Sequence, residues 1–232
     1  MQRFAVYFAP PPNAPLWRFG CATLGYDAAT GEAIEHPTEL ATIDADWHGL
    51  TAEPRRYGFH ATLKAPFEPR AGIDFAALQA EVARLATGLA SVHLDGLEVA
   101  ELGRFIALIP AAPSSTLQDL AGRLVTGLDH LRAPMSEADR ARRERTPLSQ
   151  RQRSYLDLYG YPYVLEEYRF HMTLTGPIED AGRRRQIRDA LAAHFQHTVP
   201  HGSTVIDAVS VFSQPRRDAA FRIVSRVPLP AR

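Results

Sequence analysis

Cysteine is almost missing from this chain of 232 residues: Cys21 stands alone, so no disulfide can form within it. A lone free cysteine ordinarily packs as a small hydrophobe, and nothing around Cys21 marks it as a nucleophile. Lysine is equally scarce, because among 26 basic residues only Lys64 is not an arginine. Excess charge of one sign is absent too, with 26 acidic residues balancing the basic ones. That balance removes the global positive field that favours long nucleic acid. No run of about 18 apolar residues occurs, and the Met1–Ala9 stretch ends at Pro10-Pro11-Pro12, too short for a signal peptide's apolar region. The expectation is a cytoplasmic protein with no membrane contact. A glycine-rich phosphate loop and strict strand–helix alternation are both missing, which argues against P-loop and Rossmann readings. A small or locally gripped substrate fits better.

What is present begins with an ordinary globular composition, long enough for one large domain or two small ones. Residues 3–9 alternate as a strand does. Residues 14–25 suit a helix, weakened by Gly20, and residues 27–56 read as irregular. Asp74 is placed to cap a helix over 75–89, and Ser115 with Gln118 forms a capping-box pattern for a helix to about 131. Strands are expected near 57–65, 92–100, 104–109, 168–175, 203–212 and 220–227, with a helix over 181–196. The basic stretch 134–153, with Arg140, Arg142, Arg143, Arg145, Arg151 and Arg153, reads as a linker turned helical, a mobile flap or a nucleic-acid contact. This interspersed order predicts an α+β fold of antiparallel sheet with helices packed against it.

One segment recurs. Tyr57-Gly58-Phe59-His60-Ala61-Thr62-Leu63 returns as Tyr168-Arg169-Phe170-His171-Met172-Thr173-Leu174, identical at five of seven positions. Composition alone would produce that second copy with odds of roughly one in ten thousand, so it signals a repeat. On a strand, alternate residues share a face. One face of the first copy would carry Gly58, His60, Thr62 and Lys64, and one face of the second Arg169, His171, Thr173 and Thr175. Tyr57, Phe59, Tyr168 and Phe170 would lie on the apolar sides as packing.

Buried histidine and threonine are costly unless they find partners, so two such faces invite one shared polar occupant. Opening a phosphodiester requires one group to take a proton from the attacking oxygen and another to protonate the leaving oxygen. Histidine suits both tasks near neutral pH. Thr62 and Thr173 could donate hydrogen bonds to phosphate oxygens, and Lys64 and Arg169 could offset their charge. No metal or other cofactor is needed.

Two H-x-T motifs on apolar-flanked strands, about a hundred residues apart, resemble the two-histidine (2H) phosphoesterase superfamily, which includes 2′–5′ RNA ligase-like proteins and cyclic nucleotide phosphodiesterases. The frame from Arg56 to Phe67, with Tyr161-Pro162-Tyr163 ahead of the second motif, is similar to a branch associated with phosphonate-metabolism genes. The resemblance implies a single domain over 1–232 with two pseudo-symmetric lobes and the active-site cleft between them. It implies that His60 and His171 are the acid and base and that Thr62 and Thr173 bind the phosphate. It also implies a small cyclic phosphodiester as substrate, such as a ribose cyclic phosphate from phosphonate breakdown. Which histidine is the acid, and whether the chain self-associates, stay open.

Two other readings compete. The same chemistry could act on a short RNA end, either a 2′,3′-cyclic phosphate or a 2′–5′ linkage, with the Arg140–Arg153 stretch holding the strand. Alternatively the faces could bind a nucleotide or phosphate without turnover. His36-Pro37-Thr38 is a third H-x-T, but its polar flanks and proline make it loop. His194, His197 and His201 have spacing that could suggest a metal, yet no carboxylate or thiolate completes a shell.

Overall fold

Alternation of Arg3, Ala5 and Tyr7 with Phe4, Val6 and Phe8 makes the strand Arg3–Phe8, buried along its whole length. Burial on both faces is what an interior strand requires. The computed structural model describes residues 1–200 and 202–231. In it this strand lies third in a seven-stranded sheet ordered Arg222–Pro228, Ala208–Gln214, Arg3–Phe8, Ala61–Phe67, Met172–Thr173, Phe105–Pro110, Leu97–Leu102. Every neighbouring pair is antiparallel. The α+β class follows directly. The two lobes are halves of one sheet, four strands and three, joined where Ala61 pairs with Met172.

Helices cover the face opposite the candidate site. Phe4 stacks on Phe75 at the start of the Phe75–Ala86 helix, with ring centroids 6.0 Å apart. Lys64 reaches the Ser115–Gly127 helix. Asp74 caps the first of these as expected, accepting the Ala77 N–H at 2.8 Å. The second is capped one residue earlier than expected, by Ser114, while Gln118 donates to the Leu165 carbonyl and not to the cap. Gly20 lies within the Pro15–Leu24 helix for a packing reason: a Cβ there would lie 2.0 Å from the Phe59 ring.

Three expectations change, and the basic stretch is helical, as one of its readings had it. The stretch expected to be irregular holds three short helices, Thr38–Ile43, Trp47–Leu50 and Ala52–Arg55, which bury Leu40, Trp47 and Leu50. The basic stretch contains the helix Glu137–Arg143 and runs into Gln150–Tyr159, whose Ser149–Gln152 capping box is complete. Both motif strands are shorter than the repeat suggested, beginning at Ala61 and Met172. Ahead of them, the Gly58 and Arg169 carbonyls bond to histidine rings. Lastly, Val92–Leu94 leaves the main sheet and pairs with Thr204–Ile206. His36 falls outside any strand. His194 packs against Phe19 at 5.7 Å, and His201 lies outside the described residues.

Candidate active site

The register of one strand pair assembles the four motif residues. Ala61 stands opposite Met172 in the one antiparallel pair that joins the two motif strands among the described residues. Continuing that register one residue each way puts His60 opposite Thr173 and Thr62 opposite His171, all four on the same face. Directly opposed residues have Cβ atoms only about 5 Å apart. The repeat thus forms a diagonal square in which each histidine neighbours the other copy's threonine. His60, Thr62 and Thr173 line a cavity of about 300 Å³. His171 stands beside it, its ring 5.7 Å from that of Phe105, another lining residue.

Both imidazoles are oriented by the same local device. His60 Nδ1 donates to the Gly58 carbonyl at 2.8 Å, and His171 Nδ1 donates to the Arg169 carbonyl at 2.8 Å. A carbonyl only accepts, so Nδ1 carries the hydrogen and Nε2 is the unprotonated nitrogen of each neutral ring. Nε2 of His60 lies 3.4 Å from Thr62 Oγ1. Gly58 is required here: its φ is +75°, and a Cβ would come 2.6 Å from that of Ala28. Tyr7, opposite Thr62 on the neighbouring strand, stacks on His60 with centroids 3.8 Å apart.

Burial sets the protonation. Desolvation lowers the His60 pKa to about 4; the Gly58 carbonyl opposes the shift and the charge of His171 adds to it. Desolvation also lowers His171, against the bond to Arg169. Both rings are therefore neutral at pH 7 in the free protein, and an anion in the cavity would favour protonating one of them.

Lys64 does not share the cavity face, which corrects the simple alternation. The register between the Arg3–Phe8 and Ala61–Phe67 strands shifts between Tyr7 and Val6, leaving an extra residue beside Val6. Such a bulge reverses which side chains point inward. Ala65 and Pro66 line the cavity, while Lys64 faces the helices, 3% exposed, donating to the Val125 carbonyl at 3.0 Å and to Asp129 at 3.3 Å. Desolvation lowers its pKa to about 8, opposed by Asp129.

Arg169 also departs from the expected role. Its exposed side chain lines a separate depression with Tyr168 and Phe170, and it serves the site through its carbonyl. Thr175 lines the cavity, but its hydroxyl already accepts the Ile106 N–H at 3.1 Å. Tyr57, expected as packing, lines the cavity, with its ring stacked on Phe221 at 5.4 Å.

Other lining residues had no site role in the motif reading: Arg3, Tyr7, Phe105, Arg142, Arg143 and Tyr161. Alternation on the first strand already placed Arg3 and Tyr7 on one face, a signal present in the sequence. The basic stretch contributes Arg142 and Arg143, but Arg140 pairs with Asp157 at 2.6 Å and Arg153 donates to the Leu148 carbonyl. No group of three or more potential metal ligands exists among the described residues.

The two H-x-T motifs thus meet where two neighbouring strands near the centre of one antiparallel sheet begin. The chain belongs to the family described as "Protein of unknown function (DUF1045)", which matches residues 62–222. A ribose 1,5-bisphosphate phosphokinase PhnN of Janthinobacterium sp. (strain Marseille) is 36% identical over 230 residues, covering 98% of this chain and 51% of that protein. A protein of the same name from Laribacter hongkongensis (strain HLHK9) is 37% identical over 222 residues, covering 96% and 50%. The chain spans about half the length of the curated relatives it matches. Among solved structures, TT0787 of Thermus thermophilus superposes with a TM-score of 0.48 at 14% identity, covering 99% of this chain and 98% of that one. E. coli LigT complexed with 3′-AMP gives 0.44 at 14% identity with the same coverage.

Proposed function

We propose that this chain is a metal-independent phosphodiesterase that opens a small cyclic phosphodiester by two-histidine acid–base catalysis. The observation that carries this reading is the antiparallel pairing of Ala61 with Met172, a register that, continued one residue each way, would set His60, Thr173, Thr62 and His171 on one face. The phosphate would lie over that face and accept hydrogen bonds from the two threonine hydroxyls. His60 is held neutral to about pH 4 and is the base. Its Nε2 takes a proton from water as the water oxygen bonds to phosphorus. His171, protonated in the presence of the anion, gives its Nε2 proton to the ring oxygen as the P–O bond breaks. The product is a phosphomonoester; one water is consumed, and the two histidines exchange protonation states before the next turnover. Threonine donors aimed at the phosphate stabilise the charge that builds there.

The relatives' name bears on the substrate. A ribose 1,5-bisphosphate is what results when a 1,2-cyclic phosphate of ribose 5-phosphate opens at O2. A hydrolase forming it beside a kinase consuming it would be a coherent pair within one longer protein. The kinase reaction itself fits this chain poorly, because it has no G-x-x-x-x-G-K-[ST] loop and its one lysine is buried against helices. We therefore assign the kinase activity to the half of those relatives that this chain does not cover.

The test is a panel of cyclic phosphodiesters followed by phosphorus NMR, with and without chelator. A five-membered cyclic sugar phosphate is expected to open to a single monoester at a rate that chelator does not change. His60→Ala and His171→Ala should each lower that rate by about a thousandfold or more. Turnover that survives either substitution would refute the reading. Phosphate left on carbon 2 instead of carbon 1 would separate this reaction from the relatives' kinase.

A further inference from the structure

Arg3 is a buried cation without an acid. Its residue is 8% exposed, it lines the cavity, and both its Nε and Nη2 donate to the Gln214 amide oxygen. Gln214 is neutral and is itself held by the Ala219 carbonyl. Burying an unpaired charge is costly, and here other cations increase that cost: Arg217 and Arg142 both disfavour the charged form of Arg3. The nearby carboxylates are occupied elsewhere. Asp139 holds Arg142 at 2.5 Å and Arg217 at 2.8 Å, and Glu68 holds Arg217 at 2.8 Å. Arg143, the remaining cation on the cavity wall, has no acid partner among the described residues and lies over the Tyr161 ring at 4.6 Å. Glu53, the one acid among the lining residues, pairs with neither.

Four guanidiniums thus share two carboxylates by contact, leaving an excess of two, Arg3 and Arg143, with no acid partner among the described residues. A phosphomonoester carries about −1.5 to −2 at neutral pH, with three acceptor oxygens. A diester within a nucleic-acid strand carries one negative charge and would balance half of the excess. Arg3 lies four residues before Tyr7 on the same strand face, and Tyr7 stacks on His60. At about 3.3 Å per residue this is about 13 Å of backbone, so the arginine end is a second location and not the histidine square itself.

We propose that Arg3 and Arg143 form an anion subsite that selects substrates carrying a terminal phosphomonoester in addition to the cyclic phosphate. This rests on the phosphodiesterase reading for its use, but not for its existence. The substrate class becomes a phosphorylated sugar cyclic phosphate, and a continuing RNA strand is disfavoured.

The test compares a pentose 1,2-cyclic phosphate with and without a 5-phosphate, alongside calorimetric binding of ribose 5-phosphate against ribose. The protein should favour the phosphorylated probe in kcat/KM by about a hundredfold, the worth of two charge-assisted contacts. Arg143→Gln and Arg3→Gln should each lower that ratio at least tenfold, with partial recovery in Arg143→Lys. Lys64→Met, remote from the cavity, should leave the ratio unchanged. If Arg3→Gln does not fold, the Arg143 pair decides. His171→Ala should stop turnover of both probes yet still bind ribose 5-phosphate. Should neither probe turn over while ribose 5-phosphate binding weakens in Arg143→Gln, the subsite stands and the hydrolytic reading falls. A wild-type ratio near one, or unchanged ribose 5-phosphate binding in the arginine variants, overturns the subsite.

Discussion

At the scale of single residues, what matters is how burial and one hydrogen bond define each histidine. The Nδ1-to-carbonyl bonds at Gly58 and Arg169 leave Nε2 without the hydrogen on both rings, that of His60 within reach of the Thr62 hydroxyl, and desolvation lowers both pKa values. For kcat/KM, which reports the free protein, the acid must be protonated, so its optimum should lie below the ordinary histidine range near 6.5. Bound phosphate raises the histidine pKa values, so kcat should persist to higher pH; coincident profiles would contradict this. The assignment of roles has its own test. An aryl phosphodiester with a good leaving group needs no acid, so its hydrolysis should recover substantially in His171→Ala and not in His60→Ala. Stability should respond to His60 as well. From about pH 6.5 down to about 4 the unfolded chain takes a proton that the folded His60 refuses, so stability present above that window is lost as pH falls through it. Denaturant midpoints should therefore fall less steeply across it in His60→Gln. Lys64→Met should keep full turnover and change stability by no more than about 1–2 kcal/mol, because buried ion pairs contribute little net and Asp129 retains Arg132 at 3.0 Å.

At the scale of elements, the sheet does what the repeat could only suggest. Motif spacing pointed to two similar strands, and the alternation within them correctly separated His60 and Thr62 from Phe59 and Leu63. It failed at Lys64, because a bulge is a property of two paired strands and cannot be read from one. The arginines of the 134–153 stretch were visible as a charge run, but only the docking of Glu137–Arg143 shows which of them face the cavity. Arg3 and Tyr7 could have been found, since they alternate on one face, yet nothing in the first strand says which face meets the motif. Gly20 illustrates the same limit. Helix propensity alone predicts that Gly20→Ala would stabilise by up to about 1 kcal/mol. The Phe59 ring occupies the space a Cβ needs, so overpacking should give a net loss of about 1–3 kcal/mol. Because Phe59 precedes His60, kcat should fall with it; a denaturant midpoint that rises would contradict the packing account.

At the scale of the whole molecule, the proposed reaction gives the pseudo-symmetry a chemical purpose. One copy of the motif could bind a phosphate, but moving a proton on each side of it takes two rings. The sheet brings residues 111 positions apart into one square by a single strand pairing. The copies are unequal around that square: Tyr7 stacks on His60, while Phe105 flanks His171. Unequal surroundings allow one ring to stay neutral while the other is protonated. The most direct measurement of this account is the kcat/KM of His60→Ala, His171→Ala and the double variant on one cyclic sugar phosphate. Groups that act as a unit are non-additive, so each single loss should reach about a thousandfold or more and the double variant should lose little further. Losses that multiply, or a single variant within tenfold of the unaltered protein, would show that the two histidines do not work as one pair.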